Sequence, residues 1–273
     1  MTGGWQDVPM AHAPFGMAGW LRVLWRGALL AVVTYGSLLV FLLVRLIEWP
    51  LCGQARPVTP YITQFVCKAA FVILRLPLQV RGQPMRGVGA IVANHSSWLD
   101  IFALNAADRV YFVAKSEVAG WPGIGILARA TGTLFIRRKT TEAKRHQEQF
   151  ENRLLAGHRL LFFPEGTSTD AIRVLPFKST LFAAFLTDHL KSDLAVQPVT
   201  VIYHAPTGLD PRHYGWWGDM DFAPHLLITL SERRQGRVEV IFHPALRVAD
   251  YPDRKTLAAA CEAAVRAAHP FAG

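Results

Sequence analysis

The chain has 273 residues, 51% of them hydrophobic and only 18% charged, with a net charge of +9. That balance is more apolar than a typical soluble enzyme and points to a membrane-associated α/β protein with a basic, anion-facing surface. Three scattered cysteines (Cys52, Cys67 and Cys261) exclude a disulfide framework or a cysteine-built metal site, and no dense Lys/Arg run interleaved with aromatics supports nucleic-acid binding.

Gly27 to Val44 carries no charge and is flanked by Arg26 and Arg45. Eighteen residues make a helix of about 27 Å, close to a hydrocarbon core, with the two arginines placed to snorkel. No small-residue cleavage site follows, which disfavours a signal peptide. A second apolar stretch, Tyr61 to Leu78, is broken by Lys68 and Arg75 and suits an interfacial helix. Residues 1–77 are therefore expected to form a membrane-anchoring helical region, with 78–273 as the domain that follows it.

From residue 78 short β-rich runs alternate with longer helical ones. Strands are predicted at Leu78–Arg81, Ala90–Ala93, Val110–Ala114, Thr133–Ile136, Arg159–Phe163, Val196–Tyr203 and Val238–His243. Helices are predicted at Trp98–Asn105, Pro122–Ala130, Thr140–Ala156, Thr180–Leu190 and Arg254–Ala268. The alternation implies an α/β fold with a mostly parallel sheet flanked by helices.

Three strand ends carry candidate chemistry. Asn94-His95-Ser96-Ser97-Trp98-Leu99-Asp100 places a histidine and a carboxylate five residues apart across a turn into a helix. A carboxylate there orients one ring nitrogen and leaves the other to take a proton; the same residues also fit a helix cap beside a surface acid. Phe163-Pro164-Glu165-Gly166-Thr167 ends another strand, with hydrogen-bonding Glu165 and Thr167 around a permissive Gly166, or is an ordinary turn. Gly132 to Lys139 runs an apolar strand into Arg137, Arg138 and Lys139, an anion site or a solvated basic loop, and Lys178 adds a further cation. There is no G-x-S-x-G, and the one G-x-G-x-x-A match, at Gly123, lies too far from its strand for a dinucleotide site.

Together and in this order, these segments resemble the glycerolipid acyltransferase family, the 1-acylglycerol-3-phosphate (lysophosphatidate) acyltransferases in particular. Asn-His-x4-Asp is similar to Asn94–Asp100, the glycine-led strand ending in Arg to Gly132–Arg138, and Phe-Pro-Glu-Gly-Thr to Phe163–Thr167 with Leu175-Pro176-Phe177-Lys178 beyond it. A fourth motif, a strand around a proline, is similar to Val196–Thr200. The resemblance implies that His95 and Asp100 are catalytic, and that the acceptor hydroxyl attacks a thioester directly. It also implies that Arg137, Arg138, Glu165, Gly166, Thr167 and Lys178 bind substrate.

It implies an acyl-CoA or acyl carrier protein donor as co-substrate, with no metal or organic cofactor. It further implies a lysolipid acceptor, a lipid membrane as partner, and a catalytic domain on the cytoplasmic side of the inner membrane. Lysophosphatidate is the first expected acceptor. Two departures, Arg137 where many members have an acid and Ser168-Thr169-Asp170 where many have Arg-Ser, make lyso-ornithine lipid the alternative. A non-catalytic lipid-binding protein is the alternative from another class.

Overall fold

The computed structural model describes residues 4–7, 10, 14–87, 89–136, 143–186 and 194–271. Helix α1 (Met17–Cys52) runs 36 residues, about 54 Å, so the uncharged stretch is only its centre. It is the one described helix long and apolar enough to cross a membrane, and only 6% of its most apolar window is buried. Helix α2 (Thr59–Leu74) folds back on it. Glu48 joins the two, accepting from the Val58 and Thr59 backbone N–H groups at 2.7 and 3.2 Å and from the Thr59 hydroxyl at 2.7 Å. These N–H groups open α2 and would otherwise be orphaned, so Glu48 serves as its cap.

The strands are β1 (Leu78–Arg81), β2 (Gly89–Ala93), β3 (Tyr111–Lys115), β4 (Leu134–Ile136), β5 (Leu160–Phe162), β6 (Ala195–His204), β7 (Arg237–Phe242) and β8 (Leu246–Arg247). Among the described residues they form one sheet ordered β1-β7-β6-β2-β5-β3-β4, with β8 also on β6. Pairing is parallel except where β7 and β8 meet β6. The central strands read Gly-Ala-Ile-Val-Ala and Leu-Leu-Phe because both of their faces are covered, leaving no solvent side to favour polar residues.

Helices α3 (Leu99–Ala107), α4 (Ile124–Ala130), α5 (Ala143–Leu155), α6 (Phe222–Ser231) and α7 (Arg254–Ala268) complete the layers. Two clusters of buried side chains result. One joins Val23, Cys67, Phe71 and Leu74 of α1 and α2 to Ile91, Val201 and Val240 of the sheet, so the hairpin's inner face is part of the main core. The other packs Leu257, Cys261 and Val265 of α7 against Val92, Phe162 and Val196.

Three local readings change. Helix α6 is not among the predicted helices. Pro224 reads as a breaker, but it sits in the first helical turn, where a missing N–H costs no helical hydrogen bond. Arg26 does not snorkel: it is 1% exposed, and its Nη1 donates to the Leu230 and Glu232 carbonyls at 2.8 and 2.6 Å, closing the C-terminal end of α6. The segment predicted as a helix over Thr180–Leu190 begins as a 3₁₀ turn, Ser179–Phe185, and its last residues lie outside the described set.

Candidate active site

Strands β2 and β5 are parallel neighbours in the register Val92↔Phe162. Three residues beyond that pair lie His95 and Glu165, so sheet pairing alone brings two motifs 70 residues apart to one edge. This is the carboxyl edge of the strands, where open α/β sheets place their sites.

Backbone hydrogen bonds lock the two loops together. The Glu165 carboxyl accepts from the His95 N–H at 2.7 Å through one oxygen and from the Leu175 N–H at 2.8 Å through the other. The Thr169 N–H donates to the His95 carbonyl at 2.9 Å, and the Trp216 N–H to the Ser96 carbonyl at 2.9 Å. Asn94 pairs with both backbone groups of Val201 on β6, at 2.8 and 2.9 Å. His95 is thus held by three chain segments, an arrangement that fixes a catalytic side chain far better than its own loop would.

Four donors converge on the fully buried Asp100. One oxygen accepts from His95 Nδ1 at 2.7 Å and from the Ser96 and Ser97 N–H groups at 2.8 and 3.1 Å. The other accepts from the Tyr203 hydroxyl at 2.6 Å. The acid at the fifth position is therefore neither a surface group nor a simple helix cap. With Nδ1–H directed at Asp100, Nε2 carries the lone pair, the tautomer a general base requires. The imidazole stacks on Phe163, centroids 4.0 Å apart and planes 11° apart, and its side chain is 19% exposed. It is open to a substrate without being free to rotate.

Tyr203 is absent from the candidates read from sequence. It ends an apolar strand, and only its hydroxyl at the carboxyl end of β6 could have signalled its role. Burial, with the Asp100 charge adding to it, pushes its phenol well above the usual value, so it remains a donor.

Glu165 is 1% exposed and lies beneath the site, with both oxygens on backbone N–H groups. Burial pushes its carboxyl up to about 8, against the opposing pull of the Leu175 and His95 N–H groups. Gly166 adopts φ +75°, open to glycine at no steric cost, and turns the chain so that Thr167 is exposed at the mouth. The Lys178 N–H donates to the Pro164 carbonyl at 3.0 Å, and its side chain is exposed. Arg137 and Arg138 lie outside the described residues. Among the described residues, no group of three or more His, Cys, Asp or Glu is arranged to hold a metal.

The raised Glu165 value has a measurable consequence. The folded state holds a proton that the unfolded chain, with an ordinary value near 4.5, releases earlier. The contribution of Glu165 to stability is therefore full below that value and declines as pH rises toward about 8. Glu165→Gln removes this titration, so wild type loses more stability than the variant between pH 5 and pH 8 in thermal melts. Parallel losses would contradict the assignment. The variant also loses one acceptor for a backbone N–H, and turnover falls with the loosening of His95.

The sequence model of the family described as Acyltransferase matches residues 79–202. A lyso-ornithine lipid O-acyltransferase from Rhodobacter capsulatus is 59% identical over 260 residues, covering 95% of this chain and 94% of that one. A 1-acyl-sn-glycerol-3-phosphate acyltransferase from Neisseria gonorrhoeae is 31% identical, covering 73% and 77%. The crystal structure of PlsC, the 1-acyl-sn-glycerophosphate (LPA) acyltransferase from Thermotoga maritima, superposes with a TM-score of 0.61 at 22% identity, covering 90% and 92%, and shares the fold. With the motifs assembled at one sheet edge, these relationships establish that the chain belongs to the glycerolipid acyltransferase family and is an acyltransferase of lipid biosynthesis.

Proposed function

We propose that the protein is an O-acyltransferase that moves a fatty acyl chain from acyl-CoA or acyl carrier protein onto the free hydroxyl of lyso-ornithine lipid. The observation that carries the chemistry is the 2.7 Å bond from His95 Nδ1 to a buried, four-donor Asp100. The acceptor follows the 59% identity, across nearly the whole of both chains, to a protein bearing that activity. Of the two acceptors expected from sequence, this ranks the second above lysophosphatidate.

In the reaction, the acceptor hydroxyl approaches His95 Nε2. Its oxygen attacks the thioester carbonyl carbon as its proton passes to Nε2, and Asp100 stabilises the resulting imidazolium. The tetrahedral intermediate collapses, the C–S bond breaks, and the departing thiolate takes the proton back from His95. An ester and a free thiol result, with no acyl-enzyme and no further cofactor. The Ser96 and Ser97 N–H groups already donate to Asp100, so they stabilise the carboxylate rather than the oxyanion. Glu165 acts through the His95 backbone, while Gly166, Thr167 and Lys178 line the acceptor's approach. Arg137 and Arg138, which follow Ile136 in the chain, are assigned to the positive field that draws the acceptor's anionic headgroup to the site.

Residues 1–77 form the anchor in this reading. The outer faces of α1 and α2 expose Leu24, Leu39, Leu43, Leu46, Phe65 and Val72, an apolar surface that lipid would cover. Acyl carriers are cytosolic, so the catalytic region faces the cytoplasm from the inner membrane.

The test is a paired acceptor assay with purified protein and an acyl thioester, following free thiol and acylated lipid. Lyso-ornithine lipid is expected to support turnover at least tenfold faster than lysophosphatidate. Acylation of lysophosphatidate alone would replace the proposed acceptor.

A further inference from the structure

The loop after Phe-Pro-Glu-Gly-Thr is where this chain departs from the common family pattern, and it carries an ion pair that the mechanism above does not use. Asp170 is fully buried. Arg173 Nε donates to its Oδ1 at 2.8 Å, and Nη2 lies 2.8 Å from Oδ2. The pair depends on a sharp reversal at Ala171, which sits at φ +65° and is fully buried, a left-handed conformation unusual for a residue with a Cβ. Gly215 closes over the pair's base: a Cβ there would fall 2.6 Å from the Asp170 carbonyl carbon.

The same loop is registered on the catalytic histidine. The Thr169 N–H donates to the His95 carbonyl at 2.9 Å, and its hydroxyl shares one proton between the His95 and Arg173 carbonyls, at 3.1 and 3.2 Å. Glu165 ties His95 to Leu175, two residues past Arg173. The backbone around Arg173 is therefore tied to the His95 loop from both sides.

A guanidinium offers two bidentate edges. Asp170 sits against the Nε–Nη2 side, with one hydrogen bond from Nε and an ion-pair contact at Nη2. Among the described residues Nη1 has no hydrogen-bond partner, so the Nη1–Nη2 edge is available, on a side chain 34% exposed. Trp5 stacks on the guanidinium at 4.4 Å and limits its rotation. The neighbouring ion pair, Arg212 with Asp210 at 2.7 Å, is likewise charge-balanced. A surface of paired charges favours a ligand whose own charges are paired, rather than a phosphate dianion.

We propose that Arg173 is a specificity-determining residue whose free edge takes the carboxylate of a zwitterionic acceptor headgroup, with Asp170 and Trp5 as positioning residues. The inference rests on the acceptor proposed above and extends it to a named contact.

The experiment uses the full-length protein with three acceptors: lyso-ornithine lipid, its methyl ester, which lacks the carboxylate, and lysophosphatidate. Wild type is expected to favour the acid over the ester about tenfold in kcat/KM, chiefly through KM. Arg173→Gln abolishes that preference by raising KM for the acid alone, and Arg173→Lys, which keeps charge but not the fork, falls between. If Arg173→Gln lowers both acceptors equally, or keeps the acid-to-ester ratio, the residue is structural and the inference fails. If wild type treats acid and ester alike, the inference fails while the acceptor assignment stands. If wild type acylates lysophosphatidate but not lyso-ornithine lipid, both fail.

Discussion

His95→Ala is expected to reduce kcat for acyl transfer by about 10²–10⁴-fold, the range a positioned general base supplies, with little change in KM. The imidazole makes its essential contact only as the acceptor proton moves, so its removal costs the transition state and not the bound ground state. The protein should still fold. Among the described residues the side chain's only hydrogen bond is to Asp100, whose remaining donors at Ser96, Ser97 and Tyr203 persist. Free-thiol release with saturating acceptor, alongside a thermal melt, checks both halves. Undiminished turnover would remove His95 as the base.

Asp100→Asn is the sharper probe, because it changes charge at nearly constant shape. The asparagine carbonyl can still accept from His95 Nδ1 and the two serine N–H groups, while its amide faces a Tyr203 hydroxyl that can turn to accept. The lost element is the negative charge that stabilises the imidazolium, carried by a carboxylate fully buried from solvent. A drop of about 10²–10⁴ in kcat, roughly 3–5 kcal/mol in barrier, is expected. Parallel kcat measurements and melts distinguish this from misfolding: turnover falls much further than stability. A variant within threefold of wild type would mean that the dyad does not stabilise charge.

The sequence shows much of this because the chemistry sits at strand ends. Leu78–Arg81 and Arg254–Ala268 form the strand and helix read from periodicity, and the buried runs at Ala90 and Leu160 are apolar enough to declare themselves. What pairs them is less legible. Nothing local tells Val92 to lie beside Phe162, yet that register is what sets His95 over Glu165. Long-range polar contacts are hidden for the same reason. Arg26 looks like a membrane flank until the end of α6 supplies two carbonyls, and nothing local shows that the Glu165 oxygens accept from the His95 and Leu175 N–H groups. Tyr203 lies 103 residues from the acid it supports.

The most direct test of direct attack by the acceptor is single-turnover thiol release from the acyl thioester donor with acceptor withheld. The mechanism predicts no thiol burst and no acylated protein until lysolipid is added, after which thiol and acylated lipid appear in equal amounts. A burst stoichiometric with enzyme in the absence of acceptor, with the acyl chain retained on the protein, would contradict it.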